Sequence, residues 1–124
     1  MTQLKINKEV FKELIHENDG KMIFKFTANW CTPCKRAAPF INGHLDKIKQ
    51  DIAEGKNENT IRFFEIDIDE SVDVYGLLKS KRMIQGIPSL IFYDSENKTL
   101  WPDIAISSSK ESDINYFFES VVNA

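Results

Sequence analysis

Met22-Ile23-Phe24-Lys25-Phe26-Thr27 is a short run that is apolar on both of its alternating faces, interrupted only at Lys25. Such a strand has no side to offer to water. It belongs in the middle of a sheet covered above and below. The segments around it supply the covers. Leu4-Lys5-Ile6 alternates and predicts a short first strand, and Asn7 then caps a helix carrying Val10, Phe11, Leu14 and Ile15 on one face, stopped at Asp19-Gly20. Pro33 opens a second helix, since a first turn has no use for the missing N–H. That helix continues through Ile41, Leu45, Ile48 and Ile52, with a kink at Pro39.

After a polar loop over residues 55–59, residues 61–68 predict a second buried strand. A helix bearing Val72, Val74, Leu77 and Leu78 follows, then a strand over Ser89-Leu90-Ile91-Phe92-Tyr93 and a hairpin turn at residues 94–97. Residues 99–106 predict a further strand. It holds Pro102, which cannot donate to a ladder, so it is placed at an edge. Ser108 and Glu111 have capping-box spacing ahead of a last helix with Ile114, Phe117, Phe118, Val121 and Val122. The order is β-α-β-α-β-α-β-β-α. Early alternation demands parallel crossovers and the late hairpin adds an antiparallel edge, giving an α/β fold with a mixed sheet between helical layers. The 124 residues, 42% of them apolar, fit one domain over 1–124.

Charge and cysteine content narrow the function. The net charge is −3 with both signs mixed, so neither a nucleic-acid partner nor an acidic arm is expected. The apolar runs are too short to cross a bilayer and the N-terminus lacks a leader-like pattern, so a cytoplasmic place and no membrane partner are expected. There are two cysteines, Cys31 and Cys34. A bridge across so short a loop does little for stability, which points to reactivity. Cys31 falls just before a helical turn, where unpaired N–H groups and the positive dipole end favour a thiolate, the nucleophilic form. Cys34 lies one turn further in, within reach of that sulfur. The competing reading is half of a zinc site. It would need two more ligands, and His16 and His44 sit on separate predicted helices without finger spacing, so no metal is expected and both histidines read as solvated.

Phe26-Thr27-Ala28-Asn29-Trp30-Cys31-Thr32-Pro33-Cys34-Lys35, followed by Pro39, resembles the active-site segment of the thioredoxin family, and Gly86-Ile87-Pro88-Ser89 resembles its loop with a cis proline. Nearly the whole chain is similar in element order. The resemblance implies a thioredoxin fold, a central mixed sheet flanked by helices on both faces, and reduction of protein disulfides. It implies Cys31 as the exposed nucleophile and Cys34 as the buried resolving thiol. Trp30 resembles the aromatic flank of the substrate groove, with plain packing as the competing reading. Pro88 resembles the cis proline facing the dithiol, leaving the Ile87 backbone to pair with an extended substrate. The implied partners are disulfide-containing proteins and a separate recycling reductase; no cofactor need bind.

The sequence also departs from the family. Where the family carries a buried acid, six residues ahead of the first cysteine, this chain has Lys25; where it often has a facing lysine, it has Glu65. The pair reads as charge-swapped and as tuning the dithiol. The competing reading is that Lys25 snorkels to the end of the sheet. A glycine that the family often places late in the sheet corresponds to Ala105, whose methyl would narrow the groove. Trp101 is expected to pack on the last helix. Besides a reductase, two functions stay open: a more oxidising oxidase or isomerase, and a binding or scaffold subunit with an incidental dithiol.

Overall fold

A computed structural model of the chain describes residues 2–56 and 61–124. In chain order the elements are β1 (Thr2–Leu4), α1 (Lys8–Glu17), β2 (Lys21–Thr27), α2 (Thr32–Ala53), β3 (Ile61–Asp67), α3 (Val72–Ser80), β4 (Ser89–Tyr93), β5 (Ile104–Ser107) and α4 (Glu111–Val122). The strands form one sheet in the order β1-β3-β2-β4-β5. β2 pairs parallel with β3 and antiparallel with β4, and β5 closes the other edge antiparallel to β4.

The central place of β2 follows from its composition. Met22, Phe24 and Phe26 point to one face and join Phe11 and Ile15 of α1 with Val74 and Leu78 of α3. Ile23 points to the other, where Ala37, Ile41 and Leu45 of α2 meet Ile114, Phe117 and Phe118 of α4. Lys25 shares the second face. Asn7 caps α1 as expected, its side chain accepting from the Val10 amide at 2.9 Å. Just past the end of α2 stands Gly55, whose φ of +71° suits a residue without a Cβ; the Lys56 amide donates back to the Asp51 carbonyl across this turn.

Several boundaries differ from expectation. The first strand is Thr2–Leu4, so Lys5 and Ile6 lie beyond it. β3 sits where expected but is half-buried along most of its length, because its outer neighbour β1 is only three residues long and leaves part of it uncovered. Pro102 precedes β5 instead of lying within it, since a four-residue edge leaves room for the proline outside the ladder. No capping box forms at α4: its N-cap is Lys110, and the Ser108 hydroxyl donates to Asp113 Oδ2 at 2.6 Å while accepting from the Lys110 amide. Trp101 does not pack on α4. It is 58% exposed beside the turn at Asp94 and Asn97, whose side-chain amide donates to its carbonyl. Val72 and Val122, read as packed, are exposed. Residues 57–59 of the expected polar loop lie outside the described residues.

Candidate active site

The end of β2 and the start of α2 carry the site. Cys31 is the N-cap of α2, with Pro33 in the first turn, and Cys31 and Cys34 are disulfide-bonded with their Cα atoms 5.3 Å apart. The Cys34 amide donates to Cys31 Sγ at 3.2 Å. This is an orphan N–H of the helix start aimed at the sulfur that the sequence marks as nucleophile. In the reduced protein the same donor and the helix dipole would stabilise a thiolate there. The expected contrast in exposure is not present: Cys31 is 3% and Cys34 4% exposed. In the disulfide each sulfur covers the other, and the helix start with the facing loop covers both. Position, not accessible area, separates the two.

The facing loop is Gly86-Ile87-Pro88. The Ile87-Pro88 peptide is cis, and the Ile87 carbonyl oxygen lies 3.9 Å from Cys31 Sγ. The backbone of residues 86–88 and the side of Pro33 border a groove of about 370 Å³, completed by Ser107 and Ser109. Ala105 is not on this groove. It pairs with Ile91, two residues further along the ladder, while Ser107 pairs with Ser89 next to Pro88. The methyl of Ala105 therefore does not narrow the groove, contrary to the expectation from the sequence. Trp30 stands beside the dithiol with 64% of its surface exposed, and its Nε1 donates to Asp69 Oδ2 at 2.8 Å. That exposure sets aside the packing reading. Asp69 lies in the turn just after β3, and nothing in the sequence around it marks it as the partner of the indole.

On the other side of the sulfurs is a cleft of about 600 Å³, bordered by Cys34, Lys25, Glu65, Lys35, Thr27 and Asp67 among others. Lys25 and Glu65 are direct partners in the β2–β3 register, so their side chains leave the sheet on one face. Lys25 Nζ lies 3.2 Å from Glu65 Oε1, with side-chain exposures of 6% and 18%. The second carboxylate oxygen accepts from Gln3 Nε2 at 3.0 Å. Lys25 therefore has a partner and does not snorkel. Cys34, not Cys31, shares its cleft, so the pair bears on the resolving sulfur first. The two histidines stand apart. His16 is exposed, whereas His44 is not solvated as expected: it stacks on Phe118 at 4.6 Å and shares a hydrogen bond with Asn115.

Comparison with known proteins agrees with this geometry. The family model described as Thioredoxin matches residues 2–117. A thioredoxin of Mus musculus is 31% identical over 99 residues, covering 79% of this chain and 81% of its own. A thioredoxin of Borreliella burgdorferi is 27% identical over 111 residues, covering 90% and 78%. Among solved structures, oxidised thioredoxin from Plasmodium falciparum superposes with a TM-score of 0.66 at 22% identity, covering 98% of each chain. Oxidised mitochondrial thioredoxin 3 from Saccharomyces cerevisiae does so with a TM-score of 0.63 at 25% identity, covering 97% and 94%. With a dithiol at a helix start, a cis-proline loop facing it and a family match over nearly its whole length, this chain belongs to the thioredoxin family.

Proposed function

We propose that the chain reduces disulfides of other proteins by dithiol exchange, with Cys31 as the attacking and Cys34 as the resolving sulfur. The observation that carries this reading is the sulfur pair at the N-terminus of α2, with Cys31 Sγ turned to the Ile87 carbonyl of the cis-proline loop. The reduced Cys31 thiolate attacks one sulfur of a substrate disulfide; the other sulfur leaves and takes up a proton. Cys34 then gives up its proton and attacks Cys31 Sγ, and the substrate's second sulfur leaves as a thiol. Two electrons and two protons have passed to the substrate, and the chain is left as the Cys31–Cys34 disulfide. A separate reductase returns the electrons. Both electrons reside in the sulfurs, so the step needs no cofactor on this chain.

Trp30 and the Ile87-Pro88 backbone form the substrate side. Ile87 lies just outside the β4 register, which begins at Ser89, and this supports a role for its peptide in receiving an extended segment. Lys25 and Glu65 tune the other side. A charged ammonium in the cleft of Cys34 favours its thiolate, and the Glu65 carboxylate is one of the groups bordering that cleft that can accept its proton. Such a cycle runs where thiols are kept reduced, and the cysteine usage supports the cytoplasm, with chain 1–124 acting as one domain. Among the described residues no helix is long and apolar enough to cross a membrane.

The test is covalent trapping. Cys34→Ser cannot resolve the mixed disulfide at Cys31, so it should accumulate protein adducts that dithiothreitol releases. Adducts on Cys31→Ser and none on Cys34→Ser would reverse the two roles.

A further inference from the structure

We propose that Ser107, through Ser89, staples the substrate-receiving loop in place and so sets the affinity for protein disulfides; this rests on the reductase reading above. Four hydrogen-bonding groups form one chain. The Gln85 amide donates to Ser107 Oγ at 3.0 Å, Ser107 and Ser89 share a hydrogen bond at 2.7 Å, and the Ser89 hydroxyl donates to the Gly86 carbonyl. The direction of the middle bond follows from the ends. A carbonyl only accepts, so the one proton of Ser89 is committed to Gly86. Ser107 must therefore supply the proton between the two hydroxyls, while its oxygen takes the Gln85 N–H. The result ties a donor and an acceptor of adjacent loop residues to two hydroxyls of the sheet.

Placement makes the chain matter. Ser89 is buried at the start of β4, and Ser107 is its register partner at the exposed end of β5. Ser107 also borders the groove with Pro33, Ile87 and Pro88. The stapled residues immediately precede Ile87, whose carbonyl lies beside Cys31 Sγ. Gly86 is the residue with most conformational freedom to lose, and nothing crowds the space where a Cβ would stand. A loop left free there would have to be ordered by each substrate as it binds, which weakens affinity without touching the sulfur chemistry. Ser107 is thus a positioning residue: it acts through the loop, not on the reacting atoms.

Three proteins decide the matter: wild type, Ser107→Ala and Ser107→Thr, the last keeping the hydroxyl on an exposed strand position. For insulin, Ser107→Ala should raise KM roughly fivefold, the worth of one ordinary hydrogen bond, with kcat unchanged. Reduction of bis(2-hydroxyethyl) disulfide, too small to pair along the loop, should keep its wild-type rate, and Ser107→Thr should restore the insulin KM. An unchanged insulin KM in Ser107→Ala, or an equal loss with the small disulfide, overturns the proposal. Amide exchange of Gln85, read on the oxidised protein, stands apart from catalysis. It should quicken in Ser107→Ala and return in Ser107→Thr, and an unchanged rate overturns the staple whatever the kinetics show. If wild type reduces neither disulfide, it is the reductase reading that falls, while the exchange result still decides the staple.

Discussion

Lys25 shows how one residue can be odd in a sequence and reasonable in a structure. An ammonium amid Met22, Ile23, Phe24 and Phe26 would be costly alone, yet its register partner is Glu65 and the two meet at 3.2 Å. Removing one partner leaves the other uncompensated. Glu65→Leu should therefore destabilise the protein by roughly 1–3 kcal/mol, measured by urea unfolding, and Glu65→Leu with Lys25→Met should cost less than the sum of the single changes. Additive losses would show that the pair contributes no coupling. The same cation stands in the cleft of Cys34, where it favours the thiolate and hence the reduced form. Lys25→Met should accordingly shift the redox potential in the reducing direction, read by equilibration with glutathione. A shift in the oxidising direction would remove Lys25 from the tuning of the dithiol. The sequence alone held the identity of both residues and their matching offsets; it could not hold the register, which a slip of one position would have inverted.

At the scale of elements, Lys21 joins the start of β2 to the end of α4. It opens β2, is buried, and its Nζ donates to the carbonyls of Val121 and Ala124 at 2.9 Å each. On the Val121 carbonyl, in the last turn of α4, the cation satisfies an orphan acceptor and complements the dipole; Ala124 lies just beyond the helix. Lys21→Met should lower stability by roughly 1.5–3 kcal/mol, as for hydrogen bonds to a charged group, and should speed exchange in the last turn of α4. Unchanged exchange there would deny the capping role. Nothing in the sequence announces a contact across 100 positions. What was legible was local: the double-faced apolar run, the Asn7 cap, the proline at the helix start and the edge placement of β5. What was not legible depended on partners brought from afar. The Ser108 hydroxyl was claimed by Asp113, so the capping box did not form. The groove position belonged to Ser107 and not Ala105, because only the β4–β5 ladder says which residue stands beside Pro88.

For the whole molecule, the sheet divides the labour: one end holds the dithiol between two unlike clefts, and the rest is core. Tyr93 belongs to that core. Burial, with the Asp103 charge adding to it, holds its phenol well above the ordinary 10.0, and its hydroxyl donates to the Leu100 carbonyl at 2.7 Å. Well below pH 10.0 the phenol is protonated folded or unfolded and adds no pH dependence. Above it the unfolded chain sheds the proton while the folded chain keeps it, so stability falls as pH rises. Tyr93→Phe should flatten that alkaline loss in thermal scans, and an equal slope in both proteins would contradict it. The central claim concerns the other end of the sheet. Insulin precipitation in the presence of dithiothreitol, followed by turbidity, tests it most directly. Wild-type protein should shorten the lag severalfold and Cys31→Ser should not differ from dithiothreitol alone; a wild type no faster than dithiothreitol, or a Cys31→Ser variant as fast as wild type, would contradict it.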